Sequence, residues 1–153
     1  MKFNIRKAQI QDIEGILVLL EPYSKNGVIL ERKKEDIESN IEKFFIAEFK
    51  NTIAGVVSYY NYSDTLIEIR SLAVVEDRHK LGIGSALLKA LLKSLLNDYP
   101  DAKLFALTYQ PLFFKKNNFE IVPKDSLPEK IWKDCKYCLH QDNCNETALV
   151  FIK

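Results

Sequence analysis

One stretch limits the folds open to this chain more than any other: residues 68–85, EIRSLAVVEDRHKLGIGS. It reads as a buried strand, a short loop, and a glycine turn that opens a helix. Ile67, Ile69, Leu72, Ala73 and Val74 give the strand apolar, partly β-branched content. Gly82 and Gly84 bracket Ile83, and helix formers follow at once, SALLKALLKSLL. The first turn of a helix has N–H groups with no intrahelical acceptor, and the helix dipole adds partial positive charge there. Such a turn suits a phosphate or pyrophosphate. A lone G-x-G is equally compatible with a plain turn, so the rest of the chain has to decide.

The segments before it change period. Residues 3–6 alternate like a short strand, and Asp12 can cap a helix carrying Ile13, Ile16, Leu17, Leu19 and Leu20. Pro22 is expected to end or kink it. ERKKEDIESNIEKF sets Ile37, Ile41 and Phe44 at helical spacing, with a solvated charged face. Residues 45–49 and 53–60 read as strands joined tightly around Lys50-Asn51-Thr52, and 61–64 as a further turn. After the central strand, Leu87, Leu88, Leu91, Leu92, Leu95 and Leu96 form a wide apolar stripe, which is core. Asp98-Tyr99-Pro100 stops that helix. A strand at 103–108, a short helix at 110–116, a turn at Asn117-Asn118 and strands at 119–122 and 148–152 complete the plan. Two helices, a meander of strands, then a long helix make a mixed α/β fold.

At 153 residues this reads as one domain, 1–153. Lys plus Arg number 22 against 21 for Asp plus Glu, so the net charge of +1 gives no argument for nucleic acid or a membrane surface. The start, MKFNIRKAQ, has no apolar core of a signal peptide, and no window approaches eighteen apolar residues. With three cysteines, that points to a reducing cytoplasm. The cysteines are crowded: Cys135, Cys138 and Cys144, with His140 between them. They could form a Cys₃His zinc site, or be separate loop cysteines. One C-x-x-C is thin support, and no residue is assigned to a metal.

The central stretch resembles the acetyl-CoA signature of the GCN5-related N-acetyltransferase (GNAT) superfamily, a strand followed by Q/R-x-x-G-x-G/A. The pattern falls on His79, Lys80, Leu81, Gly82, Ile83 and Gly84. His79 replaces the usual Gln or Arg, and Lys80 stands where many members have glycine. LTYQPLFFKKNNF resembles the second signature, with Asn118 in the usual glycine position. Phe114 stands where members often have a tyrosine that protonates the leaving thiolate. Tyr109 could substitute for it, or simply pack with its hydroxyl satisfied.

GVILERKKEDIESNIEKFFIAE, AGVVSYY, EIRSLAV and the tail from LPEKIW onward further resemble the acetyltransferase domain of N-acetylglutamate synthases, in the short form without an amino-acid-kinase domain. The resemblance implies a GNAT fold, a mostly antiparallel central sheet flanked by helices, with acetyl-CoA as co-substrate. It implies acetyl transfer to the α-amine of L-glutamate, the first step of arginine synthesis.

It also implies site roles. Leu72, Ala73 and Val74 would offer main-chain N–H groups to the thioester carbonyl. His79, Lys80, Leu81, Gly82, Ile83, Gly84 and Ser85 would cradle the pyrophosphate. Glu68 matches the catalytic glutamate that takes the ammonium proton. Arg32, with Arg70 behind it, would hold the substrate carboxylates. Two alternatives stay open for Glu68 and Arg32: Glu68 pairs with Arg70, which shares its strand face, and Arg32 is a solvated charge. Two other functions also stay open, an acyl-CoA-binding module without turnover and an acetyltransferase for another amine or a protein. The partner is a small-molecule amine, and a homodimer stays open.

Overall fold

The computed structural model describes residues 3–25, 33–75, 82–123, 126 and 147–153. Seven strands form one sheet: β1 (Asn4–Lys7), β2 (Phe44–Phe49), β3 (Thr52–Ser63), β4 (Leu66–Val74), β5 (Lys103–Thr108), β6 (Phe119–Val122) and β7 (Thr147–Phe151). Their order is β1-β2-β3-β4-β5-β7-β6. Every neighbouring pair is antiparallel except β4 and β5, which run parallel. A parallel pair needs a crossover, and the helix α3 (Ile83–Asp98) lies within it. The expected mixed, mostly antiparallel sheet with flanking helices is present.

Helices cover both faces. Helix α1 (Ile13–Lys25) and helix α2 (Lys34–Ser39) bury Ile13, Ile16, Leu20 and Ile37 against Phe44, Ile46, Val56 and Ala73. On the opposite face α3 buries Ile83, Leu87, Leu88, Leu91, Leu92 and Leu95 against Val57, Ile67, Ile69, Val74 and Leu104. The short helix α4 (Pro111–Lys116) adds Phe114 to that second core, where it meets Phe119 edge-on.

Local chemistry explains most element ends. The β2–β3 turn has two central residues, Lys50 and Asn51, at φ 50° and 64°. Positive φ at both positions matches the right-handed twist of the flanking strands. Asn118, at φ 70°, holds the left-handed position after α4 that its amide side chain tolerates. Asp12 accepts a 2.7 Å hydrogen bond from the Gln9 N–H and a bidentate pair of 2.9 and 3.0 Å from Arg6. It thereby pins the entry to α1 onto β1.

Three expectations need correction. Phe44 does not continue a helix: α2 stops at Ser39, a 3₁₀ turn covers Ile41–Lys43, and Phe44 begins β2. Its spacing from Ile37 put it on the apolar stripe, but its buried neighbour Phe45 faces the other core, which is strand alternation. Pro22 lies inside α1, which runs on to Lys25. The carbonyl it leaves unbonded is that of Val18, whose side chain is 71% exposed, so the gap is on the solvent side. Finally, β3 extends to Ser63, and the turn is only Asp64-Thr65.

Candidate active site

The sheet divides at its centre. β4 and β5 are paired only over Leu66–Lys103, Ile67–Leu104 and Glu68–Phe105. Beyond Glu68 no ladder joins them among the described residues, although β4 continues to Val74 and β5 to Thr108. A cleft therefore opens between the two strands, with Glu68 at its apex.

A bulge in β4 shapes the open side. Ser58 pairs with Arg70 but Val56 pairs with Ala73, so β4 carries one residue more than β3 there. Ser71 sits at φ 52°, a left-handed conformation rare outside glycine. The extra residue reverses the alternation. Before it, Glu68 and Arg70 lie on the face of Val56; after it, Ala73 is on the α1 face and Val74 on the α3 face. The Val75 N–H donates to the Ala54 carbonyl at 2.8 Å, so Ala73, two positions back, also turns its main chain toward β3. Val74, between Ala73 and Val75, turns its main chain toward the cleft. Of the three residues expected to present N–H groups there, Ala73 has its main chain engaged in the ladder.

The start of α3 faces the same region. Gly82, at φ 78°, caps it, with nothing within 4 Å of where a side chain would begin. The first intrahelical bond runs from the Ala86 N–H to the Gly82 carbonyl, 3.0 Å. The N–H groups of Ile83, Gly84 and Ser85 are thus left outside the ladder, and the N-cap, a glycine, has no side chain to cap them. That is a donor set fit for a pyrophosphate. Ile83 itself points its side chain into the core. Gly84 lies under the Phe113 ring: an added Cβ would come 3.3 Å from ring carbons Cε1 and Cζ and 3.6 Å from Val74 Cγ2. The Ser85 hydroxyl accepts a 3.3 Å hydrogen bond from Asn117 Nδ2, which also reaches the Phe113 carbonyl at 2.9 Å. Two contacts therefore dock α4 onto this helix start.

Glu68 is 8% exposed and bonded. Its Oε1 accepts from Arg70 Nε at 2.8 Å and from the Tyr62 hydroxyl at 3.2 Å, and Arg70 Nη2 donates to that hydroxyl at 3.0 Å. The guanidinium also stacks over Tyr60, 4.4 Å from the ring centroid. Tyr62 packs on Phe105 and edge-on against Tyr60. Burial, reinforced by the nearby Glu68 charge, pushes the Tyr62 phenol up, so it remains protonated and can donate. For Arg70, burial opposes the charge, but Glu68 and Tyr62 together outweigh it, and its pKa lies above the ordinary value. The Glu68–Arg70 pairing anticipated from alternation is therefore real.

Tyr109 follows β5 with its hydroxyl buried. It stands four residues, about 13 Å, past Phe105, toward the open end of the cleft and away from Glu68. Phe114 is buried in aromatic packing and has no hydroxyl to give. Arg32, His79, Lys80, Leu81, Cys135, Cys138, His140 and Cys144 fall outside the described residues.

Sequence reasoning missed Tyr60, Tyr62, Ser71, Phe113 and Asn117. Tyr60 could have been found, because it pairs directly with Glu68 across the β3–β4 ladder. Ser71 left a faint trace: polar Glu68 and Arg70 alternate, and then apolar Leu72 breaks the pattern. Phe113 and Asn117 act through contacts distant in sequence and left none.

Known proteins resemble this chain on both sequence and structure. The acetyltransferase (GNAT) family matches residues 11–111. An uncharacterized N-acetyltransferase of Chlorobaculum tepidum is 34% identical over 146 residues, covering 95% of this chain and 94% of that protein. The amino-acid acetyltransferase of Buchnera aphidicola subsp. Acyrthosiphon pisum is 36% identical over 136 residues, but the match spans only 30% of that protein. The structure of N-acetylglutamate synthase from Neisseria gonorrhoeae, complexed with coenzyme A and N-acetyl-glutamate, superposes with a TM-score of 0.87 at 27% identity, covering 99% of this chain and 35% of that one. Among the described residues no helix is long and apolar enough to cross a membrane. With a divided β4–β5 pair, a bulged β4 and a free helix start after it, this chain belongs to the acetyltransferase (GNAT) family, whose members are acetyl-CoA-dependent N-acyltransferases.

Proposed function

We propose that this protein transfers the acetyl group of acetyl-CoA to the α-amine of an amino acid, with L-glutamate the preferred acceptor. The observation that carries the reading is the buried Glu68 carboxylate at the apex of the β4–β5 cleft. Acetyl-CoA supplies an activated acyl group; the chain's own residues bind, orient and move a proton. The N–H groups of Ile83, Gly84 and Ser85, with His79 and Lys80 upstream, hold the pyrophosphate. The Leu72 N–H stabilises charge on the carbonyl oxygen. Glu68, through a water, takes the proton from the incoming ammonium, because only the neutral amine attacks. Tyr109 donates to the departing thiolate, whose pKa near 8.5 in cysteine makes weak acid assistance sufficient. Arg32 holds the acceptor carboxylates. The choice of glutamate is supported by the Neisseria gonorrhoeae synthase, whose structure contains N-acetyl-glutamate, and the match to amino-acid acetyltransferases supports an amino acid in general. The same reading puts the reaction at the entry to arginine synthesis, in the cytoplasm.

A thiol-release assay over amino acids, polyamines and peptides tests it. L-Glutamate is expected to give the highest kcat/KM, and turnover only on peptides, or on no amine, refutes the reading. Glu68→Gln is expected to keep acetyl-CoA affinity and lose on the order of 10²–10⁴ in kcat. The loss should shrink at high pH, where more of the amine is already neutral.

A further inference from the structure

Among the described residues, Glu68 is held through one oxygen. Oε1 takes both donors of the cluster, Arg70 Nε at 2.8 Å and the Tyr62 hydroxyl at 3.2 Å. Among the described residues no donor reaches Oε2. The two donors are themselves joined, Arg70 Nη2 to the Tyr62 oxygen at 3.0 Å, so the three groups close a triangle. A carboxylate fixed by two donors on one oxygen cannot rotate about its terminal torsion without breaking both bonds. The Arg70 guanidinium is in turn fixed over Tyr60, which pairs with Glu68 across the strands. We infer that Tyr62 is a positioning residue for the reaction: with Arg70 it locks Glu68 through Oε1 and so presents Oε2 as the proton-accepting oxygen. This rests on Glu68 being the base.

The alternative use of such a triangle is to neutralise a buried charge for stability alone. The two differ in what happens when the hydroxyl goes. Tyr62→Phe keeps the ring, and with it the packing on Phe105 and Tyr60. It keeps the Arg70–Glu68 pair as well, so the carboxylate stays compensated. What it removes is one of the two restraints on the torsion, together with the 3.0 Å hydrogen bond that the hydroxyl accepts from Arg70 Nη2.

Kinetics with acetyl-CoA and L-glutamate test this in Tyr62→Phe, Glu68→Gln and the double variant. Tyr62→Phe should lower kcat about tenfold, the loss of a hydrogen bond to a charged group, with both KM values near wild type; the lost acceptor of Arg70 Nη2 lowers the melting temperature alike in both backgrounds. In the Glu68→Gln background the same change should cost nothing more, because the group it positions is gone. Wild-type kcat in Tyr62→Phe overturns the inference, as does an equal loss of kcat in both backgrounds, or a loss accompanied by raised KM. If Glu68→Gln itself turns over normally, the base assignment fails instead, a result distinct from all of these.

Discussion

Replacing Gly84 separates the two things that this glycine does. A Cβ there would stand 3.3 Å from two carbons of the Phe113 ring, a few tenths short of the ordinary contact distance of about 3.5–4.0 Å. Alanine therefore needs only a slight ring shift. Against that, alanine inside a helix is favoured over glycine by about 1 kcal/mol. The two nearly cancel, and Gly84→Ala should melt close to wild type. Valine adds two γ carbons about 1.5 Å beyond the Cβ, with Val74 Cγ2 also only 3.6 Å from it. The ring has to leave its place, an overpacking cost of about 1–3 kcal/mol. At this chain length that is on the order of 5 °C in melting temperature.

Phe113 is one of the two docking contacts between α4 and the start of α3, the other being Asn117 to Ser85. Displacing it disturbs the N–H groups proposed to hold the pyrophosphate. The KM for acetyl-CoA in Gly84→Val should rise at least about tenfold, the equivalent of 1.4 kcal/mol in binding. Adding Phe113→Leu makes room, and should recover both the melting temperature and part of the KM. A Gly84→Val protein with wild-type melting and KM would refute the contact and the cradle together. A raised KM that Phe113→Leu does not relieve would refute the route through α4.

Other changes probe the frame of the site. Asp12→Asn should cost about 2 kcal/mol at neutral pH, since it breaks charge-assisted bonds from Arg6. The Arg6 guanidinium, opposed by burial and helped by the Gln9 N–H, holds the Asp12 carboxyl below the ordinary carboxylate value. Its contribution is therefore present above that ordinary value and lost as pH falls through the lower folded-state one. Urea midpoints from pH 5 downward should fall more steeply in wild type than in Asp12→Asn, and parallel curves would refute the linkage. Ser71→Val puts a β-branched residue at φ 52° and should destabilise by about 1–3 kcal/mol while weakening acetyl-CoA binding, whereas a stable variant with normal KM would mean the bulge does not shape the cleft. Leu91→Ala in the fully buried stripe of α3 should cost about 2–5 kcal/mol in denaturant unfolding, and a loss under 1 kcal/mol would contradict its burial.

The fold was legible where the signal is local. The leucine spacing of α3, the strand at 103–108 and the Asn118 turn each depend on residues within a few positions of one another, and all three are placed within about a turn. Phe44 was misread because one residue can satisfy a helical stripe and begin a strand at once, and only the burial of Phe45 on the other face decides. At the site, the glycine turn after a strand was legible for the same local reason. The cleft was not. It arises because β7, from the end of the chain, pairs with β5 over Phe105–Thr108 while the bulge at Ser71 carries β4 away. A positive φ at a serine has no propensity signature, and the pairing joins residues 39 to 45 positions apart in sequence. The geometry that divides the sheet is therefore a tertiary choice that no window of sequence contains.

Arg70 shows how that geometry changes the meaning of a residue. By sequence it is a cation on the central strand, available to an anionic substrate. In the fold its Nε lies 2.8 Å from Glu68 Oε1, with side-chain exposures of 17% and 10%. An approaching carboxylate would meet Glu68 as well, and at separations much longer than 2.8 Å the two charges nearly cancel. A carboxylate drawn to Arg70 would also compete for the restraint on Glu68. On the proposed function the acceptor's carboxylates rest on Arg32, and Arg70 serves Glu68. The two variants should then differ in kind. Arg32→Ala should raise the KM for L-glutamate by about 10–100-fold, the loss of a charge-assisted pair, and leave kcat and the KM for acetyl-CoA alone. Arg70→Met should instead lower kcat and the melting temperature, because it strands a buried carboxylate. A glutamate KM that rises in Arg70→Met with kcat unchanged would reverse the assignment. Equal effects of Arg32→Ala on both substrates would remove Arg32 from it.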